Sequence, residues 1–385
     1  MKIAIYGTGE FSLESACRDG SVMDRRGFAT EAKRAGHAVF WIGKNRDAKH
    51  HSLISGPPFS DVFFQSPFNL WGSSDYKRFE EASTKWTAQT RPKLAFPVVD
   101  ALIIESRARV FNPYGAFFEQ YLVLEHYLKH TDTRIFFRDF DLNTLGILRH
   151  GSDKYYPHFD EITALIAANR HRVSVLCPYK NPMTVFSKFG VAAHEFYWGI
   201  PKEYFDLCDS YRDVIKAWPL VYNGSDYNRR KAFEEFYGHQ RINVGLTGVW
   251  GKKKGSTEFL ATLPNVTYLG KLTLEKMFAA VAAAYAVVQI VPDSYIKVGY
   301  FTQRIIEVPF CGTAVLCDAR VKAPDGVLDE AYYVRTKADV VKWLEVLADL
   351  SPSAYFDLVR AQRERLFEKL SAETLFNQFE QLCKS

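Results

Sequence analysis

AVVQIVP at 286–292, a polar turn, YFTQRIIEVPFCG at 300–312 and TAVLCD at 313–318 together decide how this chain is read. Two β-rich apolar runs flank a segment whose apolar residues recur at helical spacing. The stretch therefore reads as buried strand, amphipathic helix, buried strand. A strand that is apolar along its whole length is covered on both faces, the usual state of a parallel sheet. The helix carries Arg304 and Glu307 three residues apart, on one side of a 3.6-residue period. Such a pair has two readings. On an exposed helix it is a surface ion pair worth about 0.3–0.5 kcal/mol. On a helix that begins at a cleft it is a cation for a diphosphate beside a carboxylate for ribose hydroxyls. Spacing alone favours the first, and what surrounds the pair decides between them.

The same alternation runs outward in both directions. KIAIYG (2–7), HAVFWIG (37–43), DVFFQS (61–66), ALIIES (101–106), RIFFRDF (134–140) and RVSVLCP (172–178) read as strands, with helices near 24–36, 115–129 and 159–170. WPLVYN (218–223), INVGLTGV (242–249), VTYLG (266–270), AVVQIV (286–291), AVLCD (314–318) and YYV (332–334) repeat the design, with helices at 227–237 and 273–285 and further helices filling 336–383. Short apolar strands alternating with amphipathic helices predict an α/β protein. Its two halves form two Rossmann-like doubly wound domains facing each other across a cleft. The first spans 1–205 and the second 206–364, with the helix at about 365–385 packing back on the first. GIPKEYFDLCDSYRDVIK (199–216) reads as the link between them. The polar stretches 44–60 and 67–98 read as loops.

A length of 385 residues suits two domains, with three as the outer limit. At 47% hydrophobic and 24% charged the composition is that of a soluble globular protein. No apolar run reaches the roughly 18 residues of a membrane span, and MKIAIYGTGEFS reads as a first strand, not a signal peptide. Cys17, Cys177, Cys208, Cys311, Cys317 and Cys383 show no CxxC spacing, so buried free thiols in a reducing cytoplasm are expected and no metal site is. The formal charge of +5, with Arg25-Arg26, Arg229-Arg230-Lys231 and Lys252-Lys253-Lys254 as local groups, permits a polyanionic partner without demanding one. Aromatic residues make up 15% of the chain, and most are expected in the core.

Three constellations bear on chemistry. In YNGSDYNRRK (222–231) a strand runs through Gly224-Ser225 into a helix, exposing backbone N–H groups where Arg229, Arg230 and Lys231 follow. This is an anion site or, equally, a capped turn with a solvated basic face. It lacks GxxxxGK[ST] and so is no ATPase loop. In RDFDLN (138–143) a buried strand ends in Asp139 and Asp141, where a carboxylate can serve as a general base or merely as a cap or ion-pair partner. GTGE at 7–10 is followed by Ser12 and not by the third glycine of GxGxxG, so a nicotinamide dehydrogenase has little support. Asp24, ahead of Arg25-Arg26, reads as a helix N-cap or as a cleft residue. The ten histidines show no ligand spacing.

On these residues the chain resembles the phage DNA glycosyltransferases of GT-B fold, most clearly from Lys271 to about Leu347, where YFTQRIIEVPFCGTAVLCD falls on that family's helix-and-strand block without a gap. The resemblance implies an inverting transfer of a sugar, glucose or arabinose, from a UDP-sugar to a hydroxylated or hydroxymethylated pyrimidine of duplex DNA. It implies Arg304 on the diphosphate, Glu307 on the ribose, Asp139 as the base and Asp24 near the donor sugar. Gly224 and Ser225 would form the phosphate turn, Gly248 and Leu272 would border uracil and ribose, and Tyr295 would join the nucleotide side. The family's two arginines after that turn fall here on Tyr227 and Lys231, so Arg229 and Arg230 take their place only by a small shift. A Mg or Mn ion bridging the phosphates is compatible with such chemistry. DNA would cross the cleft over loops 44–60, 67–75, 107–114 and 141–157, the target base leaving the stack. A monomer in the cytoplasm of the infected host is the corresponding expectation. Two other classes stay open: a GT-B transferase acting on lipid, polysaccharide or protein, and a DNA-binding protein without activity.

Overall fold

Two parallel sheets carry the chain. The computed structural model describes residues 1–7, 21–43, 62–65, 96–105, 118–139, 159–187, 190–211, 213–226, 228–238, 241–250 and 255–385. The loops expected to face DNA lie outside these residues, as do Asp141 and Lys252–Lys254.

The first sheet comprises β1 (Lys2–Gly7), β2 (Ala38–Gly43), β3 (Val62–Gln65), β4 (Ala101–Glu105), β5 (Arg134–Arg138), β6 (Val173–Cys177) and β7 (Ala192–Glu195), in the order β3-β2-β1-β4-β5-β6-β7. The described helices beside it are α1 (Ser21–Arg34), α2 (Phe118–His130), α3 (Phe159–Ala168) and α4 (Pro182–Phe186). Then α5 (Glu203–Ser210) leads to the second sheet: β8 (Trp218–Asn223), β9 (Val244–Thr247), β10 (Val266–Gly270), β11 (Ala284–Gln289), β12 (Ala314–Asp318) and β13 (Tyr333–Val334), ordered β10-β9-β8-β11-β12-β13. Its helices are α6 (Arg230–Tyr237), α7 (Ser256–Ala261), α8 (Leu274–Ala282), α9 (Asp293–Val298), α10 (Arg304–Phe310), α11 (Lys337–Asp349), α12 (Pro352–Leu370) and α13 (Ala372–Lys384). In both sheets the order reverses beside the first strand. At that switch point, outside the carboxyl ends of the strands, open α/β sheets form a crevice for ligands. The fold is α/β with two doubly wound sheets, as the alternation of short apolar strands implies.

Local chemistry explains the places where the sequence reading falls short. The segment read as a link contains α5, because Tyr204 turns inward and its ring lies 5.3 Å from that of Phe310. The polar turn after Pro292 is α9, closed by Gly299 in the left-handed region at φ 65°. Helix α1 begins at Ser21, so Asp24 stands in its first turn and is not its N-cap. The helix read as amphipathic, α10, is buried from Ile305 through Phe310, because α5, α12, β11 and β12 all pack on it. β7 was not expected: its AAHE is too polar and short to read as a strand, which an edge position tolerates.

The end of the chain returns to the first sheet. Ile200 N–H donates to Leu370 O at 2.7 Å and Ala372 N–H to Ile200 O at 2.9 Å, and α13 then lies against α1. Phe379 stands edge-on to Phe28 at 5.2 Å and to Phe136 at 4.9 Å. Phe379→Ala removes a fully buried ring that joins helix to sheet, so a loss of about 3–5 kcal/mol in denaturant unfolding is expected.

Candidate active site

At the switch point of the second sheet, three strand ends are tied together by backbone. Gly224 N–H donates to Thr247 O and Gly248 N–H to Gly270 O, both at 2.9 Å. The Trp250 indole N–H donates to Gly224 O at 3.0 Å, and the Tyr268 hydroxyl to Gly248 O at 2.8 Å. Gly248 has φ 120°, and a Cβ there would lie 1.8 Å from Gly224 O. Only glycine permits this approach. The turn at Gly224-Ser225 is thus held from beneath, with Leu272 half-buried beyond β10.

Of the three consecutive basic residues, the fold selects one. Arg229 precedes α6 and is 6% exposed, reaching Ser225 O at 3.4 Å and Ser225 Oγ at 3.3 Å. Among the described residues its Nε has no hydrogen-bond partner. Burial, and the Arg304 guanidinium facing it, lower its pKa. Arg230 instead pairs with Asp226 at 2.8 Å and lies over the Phe259 ring, and Lys231 faces solvent. Arg304 opens α10, half-buried, its guanidinium 6.0 Å from the centre of the Tyr222 ring. Among the described residues neither Arg229 nor Arg304 has a carboxylate partner. Two neighbouring guanidiniums without a carboxylate partner among the described residues can bind an anion with several oxygens. Glu307, one turn further along α10, is 7% exposed and turned toward Tyr204, whose hydroxyl pKa is raised by burial and by that carboxylate. A surface ion pair is therefore not what Arg304 and Glu307 form.

Across the cleft, Asp139 follows β5 with no exposed surface, its N–H donating to Leu176 O at 2.9 Å. Burial and the Asp139 charge raise the pKa of both Cys177 and Tyr179. Beside it, Arg138 pairs with Asp24 at 2.5 Å and approaches Glu105 at 3.9 Å, while Arg25 pairs with Glu105 at 2.5 Å. Asp24 Oδ1 accepts the Gly199 N–H at 2.6 Å. Burial raises the Asp24 pKa, against the opposing pull of Arg138. Two carboxylates and two guanidiniums thus form a neutral buried group, the arrangement that makes buried charge tolerable. Asp24 joins α1, the end of β5 and the start of the link.

The two halves meet between these places. Tyr179 and Tyr300 form an antiparallel bridge, with Lys180 N–H donating to Gly299 O at 2.9 Å and Phe301 N–H to Pro178 O at 3.0 Å. The Tyr179 ring lies 5.4 Å from Tyr300, which lies 4.2 Å from Tyr295. Tyr295 and Tyr300 in turn interact electrostatically with Arg229. A row of tyrosines therefore runs from Asp139 to the cations. Tyr179, Tyr222 and Tyr300 were not singled out in the sequence, where aromatic residues read as core. Among the described residues there is no cluster of His, Cys, Asp and Glu fit to hold a metal ion, and no helix long and apolar enough to cross a membrane.

No family model and no curated protein sequence matches the chain. Solved structures do. T4 phage BGT in complex with its UDP-glucose substrate superimposes with a TM-score of 0.61 at 14% identity, over 100% of both chains. An alpha-glucosyltransferase in complex with UDP-glucose and DNA containing an abasic site gives 0.61 at 13% identity, again over 100% of both. Sucrose-phosphate synthase from Thermosynechococcus elongatus gives 0.57 at 14% identity, over 100% of this chain and 98% of that one. Identity this low speaks to fold alone. With its two switch-point crevices facing one another, the chain has the GT-B fold and resembles in structure the DNA-modifying glucosyltransferases of phage.

Proposed function

We propose that this protein is an inverting glycosyltransferase that moves a sugar, glucose or arabinose, from a UDP-sugar to a hydroxylated or hydroxymethylated pyrimidine of double-stranded DNA. One observation carries the reading: Arg229 and Arg304, buried or half-buried and without a carboxylate partner among the described residues, stand at the switch point of the second sheet. A nucleotide diphosphate supplies the missing charge, and T4 phage BGT and the alpha-glucosyltransferase, of the same fold, were solved with UDP-glucose.

In the proposed reaction the Asp139 carboxylate takes the proton of the acceptor hydroxyl as its oxygen bonds to the anomeric carbon. The bond from that carbon to the diphosphate breaks on the opposite face, and UDP leaves with its charge held by the two arginines. Glu307 is assigned to the ribose, and Gly224, Ser225, Gly248, Leu272 and Tyr295 to the walls of the nucleotide site. Arg230 and Lys231 contribute long-range positive charge only. Asp24 serves as a positioning residue that fixes Arg138, the neighbour of Asp139. The acceptor side is then 1–205 and the donor side 206–364. A neighbour solved with UDP and Mn2+ makes a divalent ion on the phosphates compatible with this scheme. The working unit is a monomer acting in the host cytoplasm on DNA bearing modified cytosine. The likeness to sucrose-phosphate synthase supports the second reading, a GT-B transferase with a non-DNA acceptor.

UDP release from UDP-glucose and UDP-arabinose, measured with hydroxymethylated DNA, with unmodified DNA and without DNA, tests this. Release stimulated only by the hydroxymethylated duplex is expected. Release indifferent to DNA would favour the second reading.

A further inference from the structure

Tyr222 lies at the end of β8, two residues before the glycine of the phosphate turn. It is fully buried, its ring edge-on to Phe233, Tyr237 and Trp250, and its hydroxyl has no hydrogen-bond partner among the described residues. The hydroxyl is directed at the turn: a Cβ on Gly224 would lie 2.8 Å from it. Above the ring stands the Arg304 guanidinium, and the nearby Arg229 Nε is likewise buried without a partner. A guanidinium carries only donors, so neither arginine can take the phenol proton. Three donor groups converge here on one turn, two of them unsatisfied, although buried polar groups in folded proteins are nearly always paired. Among the described residues neither the Tyr222 hydroxyl nor the Arg229 Nε has an acceptor.

We infer that the Tyr222 hydroxyl is a ligand of the diphosphate. As the anion seats on Arg229 and Arg304, the Gly224-Ser225 turn shifts and the hydroxyl donates to a phosphate oxygen. This deepens the donor-site reading above and rests on it. The inference has an unusual thermodynamic signature. A buried hydroxyl without a partner destabilises the empty protein, so removing it is neutral or stabilising there and harmful only when the ligand is bound. A tyrosine with a purely structural role behaves the other way.

The test is Tyr222→Phe, which keeps the ring, measured for thermal unfolding without ligand and for affinity toward UDP and inorganic pyrophosphate. The empty variant is expected to melt at the wild-type temperature or above it. Both ligands are expected to bind ~10–100-fold more weakly, the range for a hydrogen bond to a charged group. Unchanged affinity for both ligands, or a lower melting temperature of the empty variant, would overturn the inference while leaving the donor reading intact. Pyrophosphate binding that the variant loses, with no UDP binding by the wild type, would keep the hydroxyl's role and sink the nucleotide. Wild-type protein that binds neither would sink both.

Discussion

Asp139→Asn is expected to lower turnover ~10²–10⁴-fold, the contribution of a positioned general base, while UDP binds as before. The amide keeps the size of the carboxylate and loses its ability to take a proton. Donor affinity is expected to be spared because Arg229 and Arg304, the cations proposed to hold the diphosphate, belong to the other sheet, with Tyr179, Tyr300 and Tyr295 between them and Asp139. Steady-state kinetics with a separate UDP titration checks both halves. Full turnover would place the base elsewhere. Weakened UDP binding with normal turnover would mean that Asp139 shapes the donor site instead. Asp139 has no exposed surface, so in the proposed mechanism neighbouring groups must part before an acceptor hydroxyl can reach it.

Gly248→Ala is expected to be the most damaging small substitution in the second half. The new Cβ meets Gly224 O at 1.8 Å, so the turn and β9 must separate. Left-handed backbone adds about 1–2 kcal/mol for a residue with a Cβ, and overpacking of this kind about 1–3 kcal/mol more. Gly270→Ala is the control: φ is also positive, at 83°, but nothing lies within 4 Å of its Cβ. Urea unfolding of the two variants separates contact from backbone strain. Gly248→Ala should lose about 2–5 kcal/mol and most UDP binding, and Gly270→Ala only the backbone share. Equal losses would mean that the close approach of the two strand ends is not tight in solution.

How much of this was legible in the sequence follows from the range of the forces involved. Strands such as AVLCD and VTYLG could be read because each is set by its own apolar run between turn residues. The two doubly wound sheets followed from repetition of that pattern. α9 and α5 could not be read because helices of six and eight residues are too short to show a helical period in a mixed stretch. The site shows the same divide. That a basic group follows the Gly224-Ser225 turn is plain from YNGSDYNRRK, yet which member faces Arg304 depends on a single position. Arg229 comes just before α6 and turns toward Arg304, whereas Arg230, one residue on, reaches back to Asp226. Asp24 is committed by a hydrogen bond from Gly199, 175 residues away, and by Arg138, neither visible from its own neighbourhood. The unpartnered hydroxyl of Tyr222 has no sequence signal at all, since among 21 tyrosines nothing marks the one that lacks an acceptor.

The central claim is that a sugar passes across this cleft from a nucleotide to a DNA base. Digestion of hydroxymethylated DNA to nucleosides after incubation with the protein and a panel of UDP-sugars, followed by mass spectrometry, tests it most directly. The account predicts a new nucleoside heavier by one hexose or pentose residue, absent with Asp139→Asn and absent on unmodified DNA. No mass change on any DNA with any UDP-sugar would contradict it.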